Sequence, residues 1–94
     1  MRKKVNYKQA IELKDNAKEA IREAFGKNLK ALRDEKEISQ ETMAFVSGLS
    51  RSYYSEVEEG KRNVSLINII KISVALDIEV NELLSLTASK KFFK

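Results

Sequence analysis

The fold is decided by QETMAFVSGLSRSYYSEVEE, residues 40–59. Ser39 precedes this stretch and Ser50 lies in its middle. A serine at either place can cap a helix, because its hydroxyl accepts a hydrogen bond from the first turn. Gly48 can adopt the left-handed backbone conformation that a tight turn requires. The stretch therefore predicts two short helices joined by a tight turn.

The small and apolar residues of this stretch have the spacing of a helix-turn-helix unit. Ala44 is small enough to lie where the second helix crosses the first. Leu49, Tyr54 and Val57 are spaced to face inward and to hold the second helix on the core. In such a unit the second helix enters the major groove of DNA, and its N-terminal residues meet the base edges. The spacing therefore predicts double-stranded DNA as the partner.

The residues that would then face the DNA lie around the second helix. Arg51 is in its first turn and could bind O6 and N7 of a guanine, and Ser52 is short enough to allow close approach. Gln40 begins a helix, where an amide and free backbone N–H groups suit a phosphate. The predicted DNA-binding residues are Gln40, Ser50, Arg51, Ser52, Tyr53, Ser55, Glu56, Lys61, Arg62 and Asn63.

Two of these residues have a second interpretation. Glu56 could accept a hydrogen bond from N4 of a cytosine. It could equally be a solvated carboxylate, which is the commoner situation for an exposed glutamate. Tyr53 either contacts the DNA backbone or packs on the surface of the domain.

The composition is typical of one helical domain and excludes several classes of site. The 94 residues are 43% apolar and 34% charged, with three glycines and no proline. The absence of cysteine and histidine excludes disulfides, thiolate zinc sites and histidine-based catalysis. No nucleotide-binding glycine loop or paired acid–base site is visible. We therefore expect no enzyme, no catalytic residue, no metal, no cofactor and no small-molecule ligand.

The charge and hydropathy patterns bear on where the protein acts and on what it binds. Residues 1–33 carry ten basic and four acidic side chains, whereas residues 34–94 carry eight and ten. The predicted DNA reader therefore lies in the less basic part of the chain. No apolar run has the length of a membrane span, and no secretory signal is visible. We expect a cytoplasmic protein without a membrane segment.

The helical pattern divides the chain into three parts. Alanines recur every seven residues from Ala10 to Ala31, and Gly26 interrupts this pattern. The pattern predicts two helices or one bent helix, over 7–24 and 25–36. Further helices are expected over 40–46, 51–59, 66–76 and 80–86. The expected parts are a basic arm and helical extension over 1–24, a helix-turn-helix domain over 25–86, and a tail over 87–94.

The helix over 66–76 is more apolar than one buried face explains. Leu66, Ile69 and Ile72 would satisfy the core, and a second apolar stripe at helical spacing remains. A second subunit or the N-terminal extension could cover this stripe, and an apolar patch of this size favours the second subunit. The predicted dimer interface comprises Ile67, Ile70, Val74, Ile78, Val80, Leu83 and Leu84.

From Phe25 to Leu84 the chain resembles the Cro/CI-type (XRE) helix-turn-helix family. The resemblance rests on Phe25-Gly26-x-x-Leu29-x-x-Leu32-Arg33, Ser39-Gln40-Glu41-x-x-Ala44, Glu58-x-Gly60-Lys61-Arg62, Ser65-Leu66, Ala75-Leu76 and Glu82-Leu83. Residues 50–63 are most similar to the controller proteins of restriction–modification systems. The sequence departs from the usual family pattern at Phe45, Tyr54 and Glu59.

The resemblance implies an all-α, five-helix Cro/CI-type domain, here with an N-terminal helical extension. It implies a homodimer formed largely by the last helices, and autoregulation at paired operator half-sites. It also matches Arg51, Ser52, Tyr53 and Arg62 to DNA-contacting positions and Gln40 to a phosphate-contacting one. A phage or mobile-element repressor is an equally open version of this function. A protein-binding module, such as an antitoxin or anti-regulator that uses residues 1–24, is the competing hypothesis.

Overall fold

The computed structural model describes residues 8–86, so the basic arm Arg2-Lys3-Lys4 and the tail over 87–94 lie outside the described residues. The helices are α1 (Ala17–Glu35), α2 (Gln40–Ser47), α3 (Arg51–Glu58), α4 (Leu66–Leu76) and α5 (Val80–Leu83). The predicted all-α, five-helix architecture is confirmed. No helix within residues 8–86 combines the length and the hydrophobicity that crossing a membrane would require.

Serine caps fix the starts of α2, α3 and α4. The hydroxyls of Ser39, Ser50 and Ser65 each accept a hydrogen bond from the backbone N–H three residues later. Gly48 ends α2 with a φ of 71°, which gives the tight turn between α2 and α3. The helix-turn-helix unit is therefore set by short-range signals, as the sequence predicts.

The start of α1 differs from the prediction. Asn16 has a φ of 63°, and this left-handed conformation cannot continue into a right-handed helix, so α1 begins at Ala17 instead of near Tyr7. Asp15-Asn16 forms a turn, in keeping with the preference of these residue types for turns and caps. Ile11 lies before this turn and is exposed. A helical extension over 7–16 is therefore wrong for the described residues.

Gly26 lies inside α1 and does not interrupt it, so of the two predicted forms the two separate helices are wrong. A Cβ atom at Gly26 would lie 2.7 Å from the carbonyl oxygen of Val57 and closer still to that of Glu58. The glycine is therefore required because the C-terminal end of α3 packs directly on α1. The continuous helix runs through the expected domain boundary between residues 24 and 25.

Replacing Gly26 by alanine is expected to destabilise the fold by about 1–2 kcal/mol. A Cβ atom this close to two backbone oxygens belongs to the upper end of overpacking costs, about 2–3 kcal/mol, and the better helix propensity of alanine offsets about 1 kcal/mol of this. Urea denaturation checks the prediction. Lys27→Ala, an exposed change on the same helix, should stay within about 0.5 kcal/mol of the wild type. A Gly26→Ala protein as stable as the wild type would contradict the close contact.

The core lies between α1, α2, α3 and the two C-terminal helices. Its fully buried large side chains are Leu29, Met43, Tyr54, Val57, Ile72, Leu76 and Leu83. Ala44 is buried between α2 and α3, and Leu49 packs against the core, as the spacing predicts. The Tyr54 hydroxyl is buried and forms no hydrogen bond with any described residue. This core fixes α3 on α1 and α2 and leaves one face of α3 in solvent.

The buried face of α4 is narrower than predicted. Ile72 is completely buried and Ile69 is half-buried, but Leu66 is 67% exposed. At 100° per residue, Leu66 lies about 120° around the helix from Ile72, whereas Ile69 lies only about 60° away. The assignment of Leu66 to the core is therefore wrong.

Candidate nucleic-acid interface

Arg51 and Ser52 are exposed in the first turn of α3, directly after the cap residue Ser50. Arg51 forms no ion pair with another described residue. It borders an open groove together with Phe45, an exposed aromatic residue of α2, and Leu49. The guanidinium is therefore available to a ligand that approaches the N-terminal end of α3.

A second cluster links α3 to the loop after it and to α4. Arg62 Nη2 donates a hydrogen bond to Glu56 Oε1 at 3.0 Å, and its guanidinium lies 5.3 Å from the centroid of the Tyr53 ring. The Tyr53 hydroxyl accepts a hydrogen bond from Asn68 Nδ2 of α4 at 3.2 Å. Tyr53 is half-buried by these contacts. Arg62 thus combines an ion pair with a cation–π contact.

A third cluster surrounds Glu59 at the end of α3. Lys61 Nζ lies 2.9 Å from Glu59 Oε2, and the Ser55 hydroxyl donates a hydrogen bond to Glu59 Oε1 at 3.1 Å. The hydrogen bond from Lys61 is the main reason why the pKa of Glu59 is below its ordinary value. Asn63 is exposed beyond this cluster.

Gln40 is tied to the interior instead of projecting freely into solvent. Its Nε2 donates a hydrogen bond to Glu58 Oε1 at 2.8 Å. This contact links the first residue of α2 to the last residue of α3. One N–H of the Gln40 amide remains for another acceptor.

Behind the exposed face of α3 lies a buried ion pair that sequence reasoning missed. Arg33 donates to both carboxylate oxygens of Glu58, with Nε–Oε2 at 2.6 Å and Nη2–Oε1 at 2.9 Å, and to the carbonyl oxygen of Ile38 at 2.8 Å. The Glu58 side chain is only 3% exposed. A signal was present, because Arg33 follows buried Leu29 by four residues and Glu58 follows Tyr54 by four. Each charge therefore falls on the buried face of its helix.

The ion pair should make stability depend on acid pH. Burial alone would raise the pKa of Glu58, but hydrogen bonds from Arg33 and Gln40 outweigh it and hold the pKa below its ordinary value of 4.5. A lowered folded-state pKa contributes stability that is fully present above the unfolded-state pKa and is lost as the pH falls through the folded-state value. The free energy of unfolding should therefore fall as the pH drops below about 5.

Urea denaturation at a series of pH values checks this expectation. Glu58→Gln should flatten the acid dependence more than Glu59→Gln, whose exposed carboxylate is screened by water. An acid dependence that Glu58→Gln leaves unchanged would contradict the assignment.

The predicted dimer residues divide into an exposed set and a buried one. Ile67, Val74 and Leu84 are exposed by 67%, 73% and 43%, and Ile70 is exposed on the same helix as the first two. Ile78 and Val80 are half-buried. Leu83 is completely buried in the core of the domain.

The N-terminal extension does not cover the apolar stripe of α4 within the described residues. Ile11 is 80% exposed and lies outside any helix, and Ala17 begins α1, which packs on α3 and α5. Within residues 8–86, the stripe of Ile67, Ile70 and Val74 is therefore left exposed.

Comparison with known proteins gives a consistent result. A family profile described as helix-turn-helix matches residues 29–83. The chain is 53% identical over 66 residues to the control protein C.MunI from Mycoplasma sp, covering 69% of this chain and 89% of that protein. It is 47% identical over 68 residues to the control protein C.BamHI from Bacillus amyloliquefaciens, covering 71% and 84%.

A solved structure shows the same fold. The restriction–modification controller protein C.AhdI from Aeromonas hydrophila is 58% identical, with a TM-score of 0.67 over 68% of this chain and 97% of that one. The residues matched by the family profile, 29–83, include the turn at Gly48 and the capped start of α3, which are the features that define the unit. The chain therefore belongs to the helix-turn-helix family of DNA-binding transcription regulators.

Proposed function

We propose that the chain is a homodimeric, sequence-specific regulator that reads a pseudo-palindromic operator with the N-terminal turn of α3. The observation that carries this proposal is the exposed, unpaired guanidinium of Arg51 in that turn. Arginine in this position can donate two hydrogen bonds to a guanine in the major groove. Since its proposed target is genomic DNA, we propose that it acts in the cytoplasm.

The proposed dimer joins two copies through the apolar stripe of α4 and the adjacent Leu84. A two-fold axis there would present two α3 helices to half-sites about 34 Å apart. Sedimentation equilibrium tests the assembly. Val74→Asp should shift the protein to monomer, whereas Phe45→Asp, at an apolar position of α2 that is also exposed, should not. A wild-type protein that remains monomeric at high micromolar concentration would contradict the dimer.

The proposed operator lies upstream of the chain's own gene, as expected of an autoregulatory controller. The control proteins that the chain resembles support this version over a phage repressor. Fluorescence anisotropy with the upstream DNA and with a shuffled duplex of the same composition tests it. Tighter binding to the upstream DNA by about 1,000-fold or more is expected of specific recognition. Equal affinity for both duplexes would overturn the autoregulatory proposal.

The protein-binding alternative relied on residues 1–24 as a free extension. Residues 17–24 of that segment lie in α1. Glu23 of α1 packs closely on Gly60, since a Cβ atom added to Gly60 would lie 2.7 Å from the Glu23 side chain. These residues thus support the DNA-reading unit. The DNA-binding regulator is therefore the function that the geometry favours.

A further inference from the structure

The two cations of the loop after α3 are each paired with a carboxylate of α3 or of its C-cap residue. Lys61 pairs with Glu59, and Arg62 pairs with Glu56. Among the described residues of α3 and its following loop, Arg51 is the cation without such a partner. The surface that faces the DNA therefore has one open cation at its reading end and two neutralised ones at the other end.

In each pair, one partner is also held by another side chain of the domain. Glu59 also accepts a hydrogen bond from the Ser55 hydroxyl, one turn earlier on α3. Arg62 is held over the Tyr53 ring, and Tyr53 is in turn fixed by Asn68 of α4. The pairs are thus part of an ordered surface, in which each carboxylate binds a cation that could otherwise bind a phosphate.

The two ion pairs lower the affinity for DNA of any base sequence. A phosphate that approaches Lys61 or Arg62 must compete with the carboxylate for the cation and also meets the negative charge that it displaces. Contacts to phosphates supply nearly all of the affinity for DNA of any sequence, whereas base contacts discriminate between sequences. In a complex without base contacts the domain can shift along the backbone until Lys61 and Arg62 meet phosphates, whereas the base contact of Arg51 fixes the operator complex in one register. Neutralising the two cations therefore weakens the sequence-independent complex more than the operator complex.

We propose that Glu56 and Glu59 determine specificity by suppressing the phosphate binding of Arg62 and Lys61, so that the base contact of Arg51 dominates. The proposal rests on the proposed reading of DNA by α3. Specificity is a difference between affinities, and it can be raised by weakening the unwanted complex. The two carboxylates on this DNA-facing surface then have a physical role.

The test compares the wild type with the double variant Glu56→Gln/Glu59→Gln on the selected operator and on an unrelated duplex, over a series of salt concentrations. The variant is expected to bind the unrelated duplex about 10-fold tighter, with a salt dependence steeper by up to about 1.8 in log–log slope for two freed cations. Its preference for the operator over the unrelated duplex should fall. The control Glu19→Gln/Glu35→Gln changes the net charge equally at exposed positions of α1.

The outcomes separate this inference from the proposed function. If the wild type prefers no sequence, the proposed function and this inference both fail. If the wild type has an operator but the double variant keeps the same preference, or behaves like the control, only this inference is overturned. A lowered preference with a steeper salt dependence, absent in the control, supports it.

Discussion

Replacing Arg33 by methionine is expected to lower the free energy of unfolding by about 3–5 kcal/mol. The change leaves the Glu58 carboxylate buried without its partner, and an uncompensated buried charge carries a penalty of this size. Urea denaturation at neutral pH measures the loss. The double variant Arg33→Met/Glu58→Met should recover much of the stability, because it removes both charges together.

Lys30→Met is a matched control on the same helix. Lys30 Nζ pairs with Asp34 at 2.7 Å, within 0.1 Å of the 2.6 Å in the buried pair, but both side chains are more than half exposed. Exposed pairs of this kind contribute at most about 1 kcal/mol. Equal losses for Arg33→Met and Lys30→Met would contradict a structural role for the buried pair.

Arg51→Ala is expected to weaken binding to the operator by about 10- to 100-fold per base contact, corresponding to about 1–3 kcal/mol. The discrimination at one base pair of each half-site should disappear, because the alanine cannot donate to a guanine. Fluorescence anisotropy on the operator and on single-base variants measures both effects.

Lys71→Ala is the control for this prediction, since it removes an equally exposed positive charge from α4. A loss of a general phosphate attraction would be similar for all DNA sequences and for both variants. An Arg51→Ala protein that retains the base preference of the wild type would contradict base reading by Arg51.

The parts of the fold that the sequence predicts correctly depend on short-range signals. The caps at Ser39, Ser50 and Ser65 and the turn at Gly48 each act within a few residues, so the bounds of α2 to α4 follow closely. The two separate helices predicted on either side of Gly26 are wrong because this glycine serves a contact between α1 and α3, which are distant in sequence. A glycine inside a helix interrupts it or allows close packing, and only the position of α3 decides between these outcomes.

In the candidate site, too, some features follow from the local sequence and others depend on the path of the chain. Arg51 and Ser52 could be assigned to the exposed turn from spacing alone, and the structure leaves them exposed there. The pairing of Lys61 and Arg62 could not be predicted, because it depends on the path of the chain after α3. Gly60 adopts a φ of 78° and the Lys61 N–H donates to the carbonyl oxygen of Glu56 at 2.9 Å, which turns the loop back along α3.

The buried pair was hidden for a related reason. Arg33 and Glu58 are 25 residues apart, and each looks like an ordinary helix-surface charge when its own helix is considered alone. Only the packing of α1 on α3 brings them together. The resulting link through Gln40 to α2 also explains why one residue of the predicted phosphate contact is already hydrogen-bonded within the protein.

Selection of binding sites from random DNA duplexes is the most direct test of sequence-specific reading by α3. The wild type should enrich a two-fold symmetric site, with half-sites about one helical turn apart, and Arg51→Ala should lose the preference at one position of each half. If the wild type enriches no sequence and binds DNA only weakly and in a salt-sensitive way, sequence-specific reading by α3 is contradicted.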